Sequence, residues 1–173
     1  MATVQSLSNL IRASYRCFDT LAPAVDLIVR LWVAAVFFKS GLTKIQSWDT
    51  TLLLFTNEYH VPFLSPEAAA YLGTGAELVL PVFLALGLGG RLAALGLFIF
   101  NIVAVISYPE LEAAGIEQHQ VWGIMLLVTL LHGPGLLSID ALIARFARKT
   151  RQSAASGSVS SSSTLLRPTS IRG

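Results

Sequence analysis

Residues 68–90, with the sequence AAAYLGTGAELVLPVFLALGLGG, decide how the rest of the chain is interpreted. The side chains of this stretch are mostly apolar or small, and Glu77 near its middle is its single charged residue. A helix of about 20 apolar residues matches the ~30 Å hydrocarbon thickness of a bilayer. A carboxylate at that depth costs roughly 3 kcal/mol, so it needs a partner, a proton or a function. Glu77 is therefore the first candidate for a functional residue.

The composition also indicates a membrane protein. Of the 173 residues, 54% are hydrophobic and 13% are charged, whereas soluble domains carry about 25% charged residues. Apolar runs over residues 23–38, 92–108 and 120–137 predict three more transmembrane helices. The short turn at residues 87–91 makes the second and third helices antiparallel neighbours. The predicted fold is all-α, a polytopic membrane protein with four transmembrane helices in an antiparallel bundle.

The distribution of charge predicts the orientation of this bundle. Basic residues precede the first apolar run, lie in the turn after the second and follow the fourth, namely Arg12, Arg16, Arg91, Arg145, Arg148, Lys149, Arg151, Arg167 and Arg172. Acidic residues dominate the other two connections, namely Asp49, Glu58, Glu67, Glu110, Glu112 and Glu117. The positive-inside rule then places both termini in the cytoplasm. An even number of spans requires the same arrangement.

The pattern divides the chain into three parts. Residues 1–22 predict an amphipathic lead-in helix on the cytoplasmic surface. Residues 23–146 form the four-helix transmembrane domain, whose first helix we expect to start near Pro23. Within it, residues 45–66 are too short and interrupted to cross the bilayer, so we expect them to fold against the outer mouth of the bundle, with a short helix as one option. Residues 147–173 predict a disordered, Ser-rich basic tail that meets anionic lipid and no nucleic acid.

Four polar side chains in these helices are the candidate site. Counted from the cytoplasmic side, Arg30 lies ~10 Å deep, Glu77 ~18 Å and Asn101 ~15 Å. We predict an intramembrane polar cluster or ligand pocket built on an Arg30–Glu77 pair, helped by Asn101 and Lys44. The cluster could bind a small polar headgroup, a quinone carbonyl or a proton, or it could be a structural salt bridge that fixes helix register. Arg30 could instead extend to the headgroups, held there by Asp26.

The sequence lacks the residues that several other kinds of site require. The single cysteine, Cys17, excludes an internal disulfide, a CxxC pair and a thiolate metal cluster. The three histidines, His60, His119 and His132, do not have metal-ligand spacing, and we expect His119 and His132 near opposite faces of the membrane. We therefore expect no metal site. No phosphate-binding glycine motif follows a strand. The sequence identifies no catalytic residue.

With these residues in view, the chain resembles the DoxX family of small four-helix bacterial membrane proteins over residues 26–143. The likeness rests on the order and spacing of several pieces, namely Arg30, the run Phe37-Phe38-Lys39-Ser40-Gly41-Leu42-Thr43-Lys44, Val61-Pro62, Pro66, Glu77, Gly87-Leu88-Gly89-Gly90-Arg91, and His132-Gly133-Pro134-Gly135-Leu136-Leu137-Ser138-Ile139-Asp140. It implies a multi-pass protein of the bacterial cytoplasmic (inner) membrane. Some members of the family belong to oxidoreductase complexes, including quinone-linked sulfur oxidation and redox-stress systems.

We therefore expect an accessory protein or subunit of a membrane oxidoreductase, in a quinone-linked or redox-stress system. It would have no cofactor of its own apart from a bound quinone, and its partners would be the bilayer and redox enzyme subunits. Whether it is itself an enzyme and whether it forms a homo-oligomer both stay open. One alternative is a transporter or binding protein for small solutes or lipids that uses the buried Arg30–Glu77 pair. The other is a membrane scaffold without chemistry, which recruits soluble partners through its termini.

Overall fold

The computed structural model describes the backbone of residues 2–164 and, within it, the side chains of residues 12, 14–16 and 18–151. Over that backbone the chain forms six helices and no strand, which confirms the all-α class. The helices are α1 (Ala2–Gln46), α2 (Trp48–Asn57), α3 (Pro66–Leu86), α4 (Gly90–Ser107), α5 (Ala113–His132) and α6 (Ile139–Thr164).

Four of these helices form a closed bundle in which neighbours run antiparallel. α1 packs against α3, α3 against α4, α4 against α5, and α5 back against α1. The short α2 packs on α1 and α3 at one end. The interior is apolar and contains side chains from all four long helices, among them Val33, Phe37, Leu84, Ala94, Leu97 and Leu126.

Three helices in the described part of the chain are long and apolar enough to cross a membrane, namely Ser14–Gln46 within α1, α3 and α4. Only 22–33% of the residues in their apolar windows are buried inside the protein. The outer surface of the bundle is therefore apolar, as contact with lipid requires. α5 has a suitable length of 20 residues, but the polar run from Glu117 to Gln120 makes its first half less apolar.

Local signals explain several helix ends. α3 begins at Pro66, because the Ser65 hydroxyl accepts from the Ala68 N–H at 3.3 Å and the proline suits the first turn of a helix. The expected short helix after the first span is present as α2. Ser138 caps α6, since its hydroxyl accepts from the Ala141 N–H at 3.2 Å.

Three predicted boundaries differ from the structure. α1 continues from Ala2 through Pro23, so no helix begins at that proline. α5 spans Ala113–His132 instead of residues 120–137, because nothing interrupts the helix before residue 120 and Gly133 (φ 91°) ends it. α6 continues past residue 147 to Thr164, into the segment for which the sequence predicts disorder. The rest of that tail, residues 165–173, and most apolar side chains of residues 1–22 lie outside the described set.

Asp140 joins the start of α6 to the turn between α3 and α4. Its two carboxylate oxygens accept from the Gly89 N–H at 2.9 Å and the Gly90 N–H at 3.0 Å, at the N-terminus of α4. Its own N–H donates to the Gly87 carbonyl at 3.1 Å. Gly87 has φ +63°, and a Cβ on Gly90 would lie 2.6 Å from Pro134 Cβ. The turn therefore needs glycine at position 87 for its backbone conformation and at position 90 for close packing.

We expect Asp140→Ala to lower the free energy of unfolding by about 2 kcal/mol, because two N–H groups at the N-terminus of α4 lose a charged acceptor. The measurement is denaturant unfolding of the purified protein in detergent micelles. Asp19→Ala, which removes an exposed carboxylate from α1, is the control and should change stability little. Equal stability of the Asp140 variant and the wild type would contradict the assignment.

Candidate functional site

An ion pair between Lys44 and Glu77 links α1 to α3. Lys44 Nζ lies 2.6 Å from Glu77 Oε2 and 2.8 Å from Oε1. The same ammonium donates to Ser40 Oγ at 2.9 Å, and the Ser40 hydroxyl donates to Glu77 Oε1 at 3.1 Å. The three side chains therefore form one closed set of short, charge-assisted hydrogen bonds.

Both charges of this pair are largely buried, with 15% of the Lys44 side chain and 7% of the Glu77 side chain exposed. Burying either charge alone would carry a large desolvation cost, which mutual attraction and good hydrogen-bond geometry offset. Together the two groups carry no net charge. The pair is therefore a polar but electrically neutral feature of the bundle interior.

The sequence around Lys44 explains why the pair forms where it does. Ser40 and Lys44 are four residues apart and so share one face of α1. On the same face, a Cβ on Gly41 would lie 2.9 Å from Leu78 Cδ2 and 3.0 Å from Glu77 Cβ, so only glycine lets the two helices approach this closely. The Thr51 hydroxyl donates to the Lys44 carbonyl at 2.9 Å, which ties α2 to the end of α1.

Lys44, Glu77 and Ser40 lie in the wall of a cavity of about 540 Å³ between α1, α3 and α4. This volume is within the ~300–1,000 Å³ typical of small-molecule sites. Most of the wall is aliphatic or aromatic, and it includes Val36, Phe37, Phe55, Leu72, Leu80 and Phe100. The cavity thus combines one polar, net-neutral group with a largely apolar surface.

Further polar and aromatic side chains line the same cavity, namely Tyr59, Ser107, Tyr108, His119 and Trp122. The Tyr59 ring packs between Phe55 and Tyr108, with ring centroids 4.9 Å and 5.1 Å away. Burial, and to a lesser degree the neighbouring Tyr108, raises the pKa of the Tyr59 phenol. Tyr59 therefore keeps its proton at neutral pH, and its hydroxyl can act as a hydrogen-bond donor.

Arg30 does not join this group. One guanidinium nitrogen donates to the Leu84 and Ala85 carbonyls, each at 3.1 Å, and the other donates to the Leu137 carbonyl at 2.5 Å. The side chain is 1% exposed. A cation at the C-terminal end of α3 neutralises carbonyl oxygens that the helix leaves without partners. The structure therefore gives Arg30 a structural role at the turn beside Asp140.

The predicted Arg30–Glu77 pair is thus wrong, because the guanidinium bonds to backbone carbonyls at the end of α3 and does not extend to Glu77. The predicted depths of the two residues differ by ~8 Å, and the prediction assumes that the arginine side chain covers this offset. In the structure the guanidinium lies level with Leu84 and Ala85, seven or eight residues and so ~11 Å from Glu77 along α3. Lys44, predicted as a helper of the cluster, lies level with Glu77 and is its cationic partner.

Asn101 bridges α4 and α5, as an amide in an apolar helix is expected to do. Its Nδ2 donates to the His119 carbonyl at 2.9 Å, and its Oδ1 lies 2.7 Å from His119 Nδ1. The His119 ring also packs on Trp122 with centroids 4.9 Å apart. Asn101 is therefore not part of the Lys44–Glu77 group, but it orients His119 on the wall of the same cavity.

The sequence does not single out Ser40, Tyr59 or Ser107 as site residues. Ser40 carried a usable signal, because it lies four residues before Lys44 on the same helical face. Isolated serine and tyrosine residues near helix ends carry no such signal. Within the described residues, no group of three His, Cys, Asp or Glu side chains is placed to hold a metal ion.

The geometry defines a class of protein, a small helical membrane protein with a neutralised charge pair facing a cavity in its bundle. Residues 25–110 match the DoxX family. An uncharacterized protein of Haemophilus influenzae is 30% identical over 127 residues, which cover 68% of this chain and 82% of that relative. No solved structure matches the chain. The chain therefore belongs to the DoxX family, which confirms the resemblance of the sequence.

We expect Lys44→Met alone to lower the free energy of unfolding by about 3–5 kcal/mol, because Glu77 keeps a buried charge without its cation. The double variant Lys44→Met/Glu77→Gln removes both charges and should recover most of that loss. Denaturant unfolding in detergent micelles is measured for the wild type, for each single variant and for the double variant, which together form a double-mutant cycle. Lys39→Met, on an exposed position of the same helix, is the matched control. Additive effects of the two single substitutions would show that the pair does not couple.

Proposed function

We propose that this DoxX-family protein binds a quinone in the cavity beside Lys44 and Glu77, as an accessory protein or subunit of a membrane oxidoreductase. The observation that carries this proposal is the neutralised ion pair in the wall of a largely apolar cavity of about 540 Å³. The association with an oxidoreductase, of the quinone-linked or redox-stress type, rests on the family resemblance. The quinone is then a bound ligand and no other cofactor is required.

The electrostatics of the wall favour a neutral ligand over an ionic one. Lys44 and Glu77 cancel each other, so a phosphate or ammonium headgroup would meet no uncompensated charge. A quinone ring is neutral, flat and carries carbonyl oxygens that accept hydrogen bonds. The donors of Lys44 and Ser40 bond to Glu77 and to each other, and one of them turns to a ring oxygen when the ligand binds. Phe37, Phe55 and Phe100 supply aromatic surface for the ring. An isoprenoid tail would extend along apolar wall towards the surrounding lipid.

We further propose four membrane spans with both termini in the cytoplasm of a bacterial cell. α5 packs between α4 and α1 and completes the bundle that the three apolar helices begin, which supports α5 as the fourth span. Arg91 at the start of α4 and the start of α6 are at the same end of the bundle, because Asp140 bonds to Gly89 and Gly90. The basic residues that follow on α6 are thus on the side of Arg91, in agreement with the positive-inside rule.

The test of quinone binding is the amount of quinone that remains on the protein after purification in mild detergent from bacterial membranes. The wild type should retain quinone, and proteins that co-purify should include a redox enzyme subunit. Lys44→Met/Glu77→Gln should lower retention roughly tenfold or more, because it removes a hydrogen bond to a charged donor.

Lys39→Met is the control for this preparation, since it removes a lysine from α1 that does not line the cavity. It should retain as much quinone as the wild type. Equal retention by the wild type and the double variant would contradict a role of the pair in binding. Quinone-free wild-type protein would contradict the proposed ligand.

A second candidate is transport of a small solute or lipid, with the Lys44–Glu77 pair in place of the expected Arg30–Glu77 pair. Pro81 favours this candidate, because it lies inside α3 four residues after Glu77 and leaves the Glu77 carbonyl without its intrahelical donor. A helix weakened at this point could bend beside the pair.

If the pair controls transport, Glu77→Gln should lower solute or lipid flux in proteoliposomes at least tenfold, because the charge that Lys44 neutralises is gone. Glu67→Gln, in the exposed first turn of the same helix, serves as the control and should leave flux unchanged. Flux that is the same in the wild type and in Glu77→Gln would exclude the pair from transport.

A further inference from the structure

Ser107 also lines this cavity, and its hydroxyl has no hydrogen-bond partner among the residues that the structure describes. Ser107 lies at the end of α4 and is 2% exposed. Its Oγ atom makes no hydrogen bond within the part of the chain that the structure describes. A buried hydroxyl without a partner destabilises a protein, most of all where water cannot reach it. Since Ser107 lines the cavity, a ligand atom inside the cavity is the natural partner.

The position of Ser107 is well fixed. The His60 N–H donates to the Ser107 carbonyl at 2.7 Å, which joins the loop after α2 to the end of α4. On the next residue, the Tyr108 ring packs against Tyr59 with centroids 5.1 Å apart. The backbone that carries the free hydroxyl is therefore held from two sides. Such a group is preorganised to bind and does not need to be ordered by the ligand.

Ser107 and the Lys44–Glu77 pair lie at different depths in the cavity. α3 and α4 leave the turn at Gly89 side by side, with Glu77 12 residues before it and Ser107 18 residues after it. At 1.5 Å per residue, the two positions differ by about 9 Å along the bundle. Between these depths the wall includes the apolar side chains of Ala76 and Val103. The Lys44–Glu77 pair and the Ser107 hydroxyl are thus separated along the cavity by apolar side chains.

On this basis, and resting on the proposed function, we infer that the cavity binds a ligand with hydrogen-bonding oxygens on opposite sides of a flat ring. One oxygen accepts from a Lys44 or Ser40 donor that turns away from Glu77, and the other accepts from the Ser107 hydroxyl. A para-quinone has this arrangement, whereas a ketone with one carbonyl or a lipid with one headgroup does not. Ser107 is then a specificity-determining residue that selects a second carbonyl.

The experiment compares two probes by calorimetric titration of the purified full chain in mild detergent. One is dimethyl-substituted para-naphthoquinone, whose methyl groups block addition of the Cys17 thiol, and the other is the same ring system with one carbonyl removed. The wild type should bind the two-carbonyl probe roughly three- to tenfold more tightly, the value of one hydrogen bond. Ser107→Ala should lower affinity for that probe by the same factor and leave affinity for the one-carbonyl probe unchanged.

Thr74→Val is the matched control. The Thr74 hydroxyl is also buried, with the residue 3% exposed, and it has no hydrogen-bond partner among the described residues, but Thr74 does not line the cavity. Both substitutions remove an unpartnered hydroxyl, so both variants should fold at least as stably as the wild type. Thr74→Val should bind both probes as the wild type does. An equal loss of affinity in Thr74→Val would assign the effect to helix packing and overturn the inference.

The remaining outcomes separate this inference from the proposed function. Equal binding of the two probes by the wild type, or an unchanged preference in Ser107→Ala, overturns the inference and leaves quinone binding in place. Failure of the wild type to bind either probe overturns the proposed function and the inference together. If Ser107→Ala loses the preference for the two-carbonyl probe and Thr74→Val keeps it, the result supports both the inference and the proposed function.

Discussion

The contact between Lys44 and Glu77 is the constraint on which the centre of this protein depends. Hydrocarbon cannot hydrate either charge, so the two groups must meet, and they do so at 2.6 Å. Their meeting fixes the register of α1 against α3, and Gly41 makes the approach close enough. Lys44 also bonds to Ser40 through its ammonium group and to Thr51 of α2 through its carbonyl. The pair therefore also fixes one wall of the cavity.

The turn between α3 and α4 meets a different requirement. Helix ends leave N–H and carbonyl groups without partners, and both kinds occur at this turn. Asp140 accepts from the N–H groups at the start of α4, while Arg30 donates to the carbonyls at the end of α3. Asp140 of α6 thus provides acceptors at the N-terminus of α4, and Arg30 of α1 provides donors at the C-terminus of α3. Both terminal nitrogens of the Arg30 guanidinium bond here, away from Glu77, and that leaves Glu77 to Lys44.

Much of the fold follows from local sequence, and much of the site does not. Apolar runs, the Ser65 and Ser138 caps and the glycine-rich turn after α3 predict helices and ends because each signal acts within a few residues. The partner of Glu77 depends on how α1 packs against α3 and on the carbonyls that hold Arg30, which are contacts between residues far apart in the sequence. The role of Ser107 cannot be predicted from the sequence for another reason. Its importance lies in a missing hydrogen bond, which only three-dimensional packing reveals.

The composition of the pair has a chemical consequence under the proposed function. An ammonium group only donates hydrogen bonds and a carboxylate only accepts them, whereas a serine hydroxyl does both. An oxidised quinone presents carbonyl oxygens, which need donors such as Lys44 and Ser40. A reduced quinone presents hydroxyl groups, which need acceptors such as Glu77. The three side chains bond to one another on one wall, so either redox form gains a partner when one of these hydrogen bonds is redirected to the ligand, without rearrangement of the helices. A wall with a single donor or a single acceptor would favour one form over the other, and that preference would oppose turnover of the ligand.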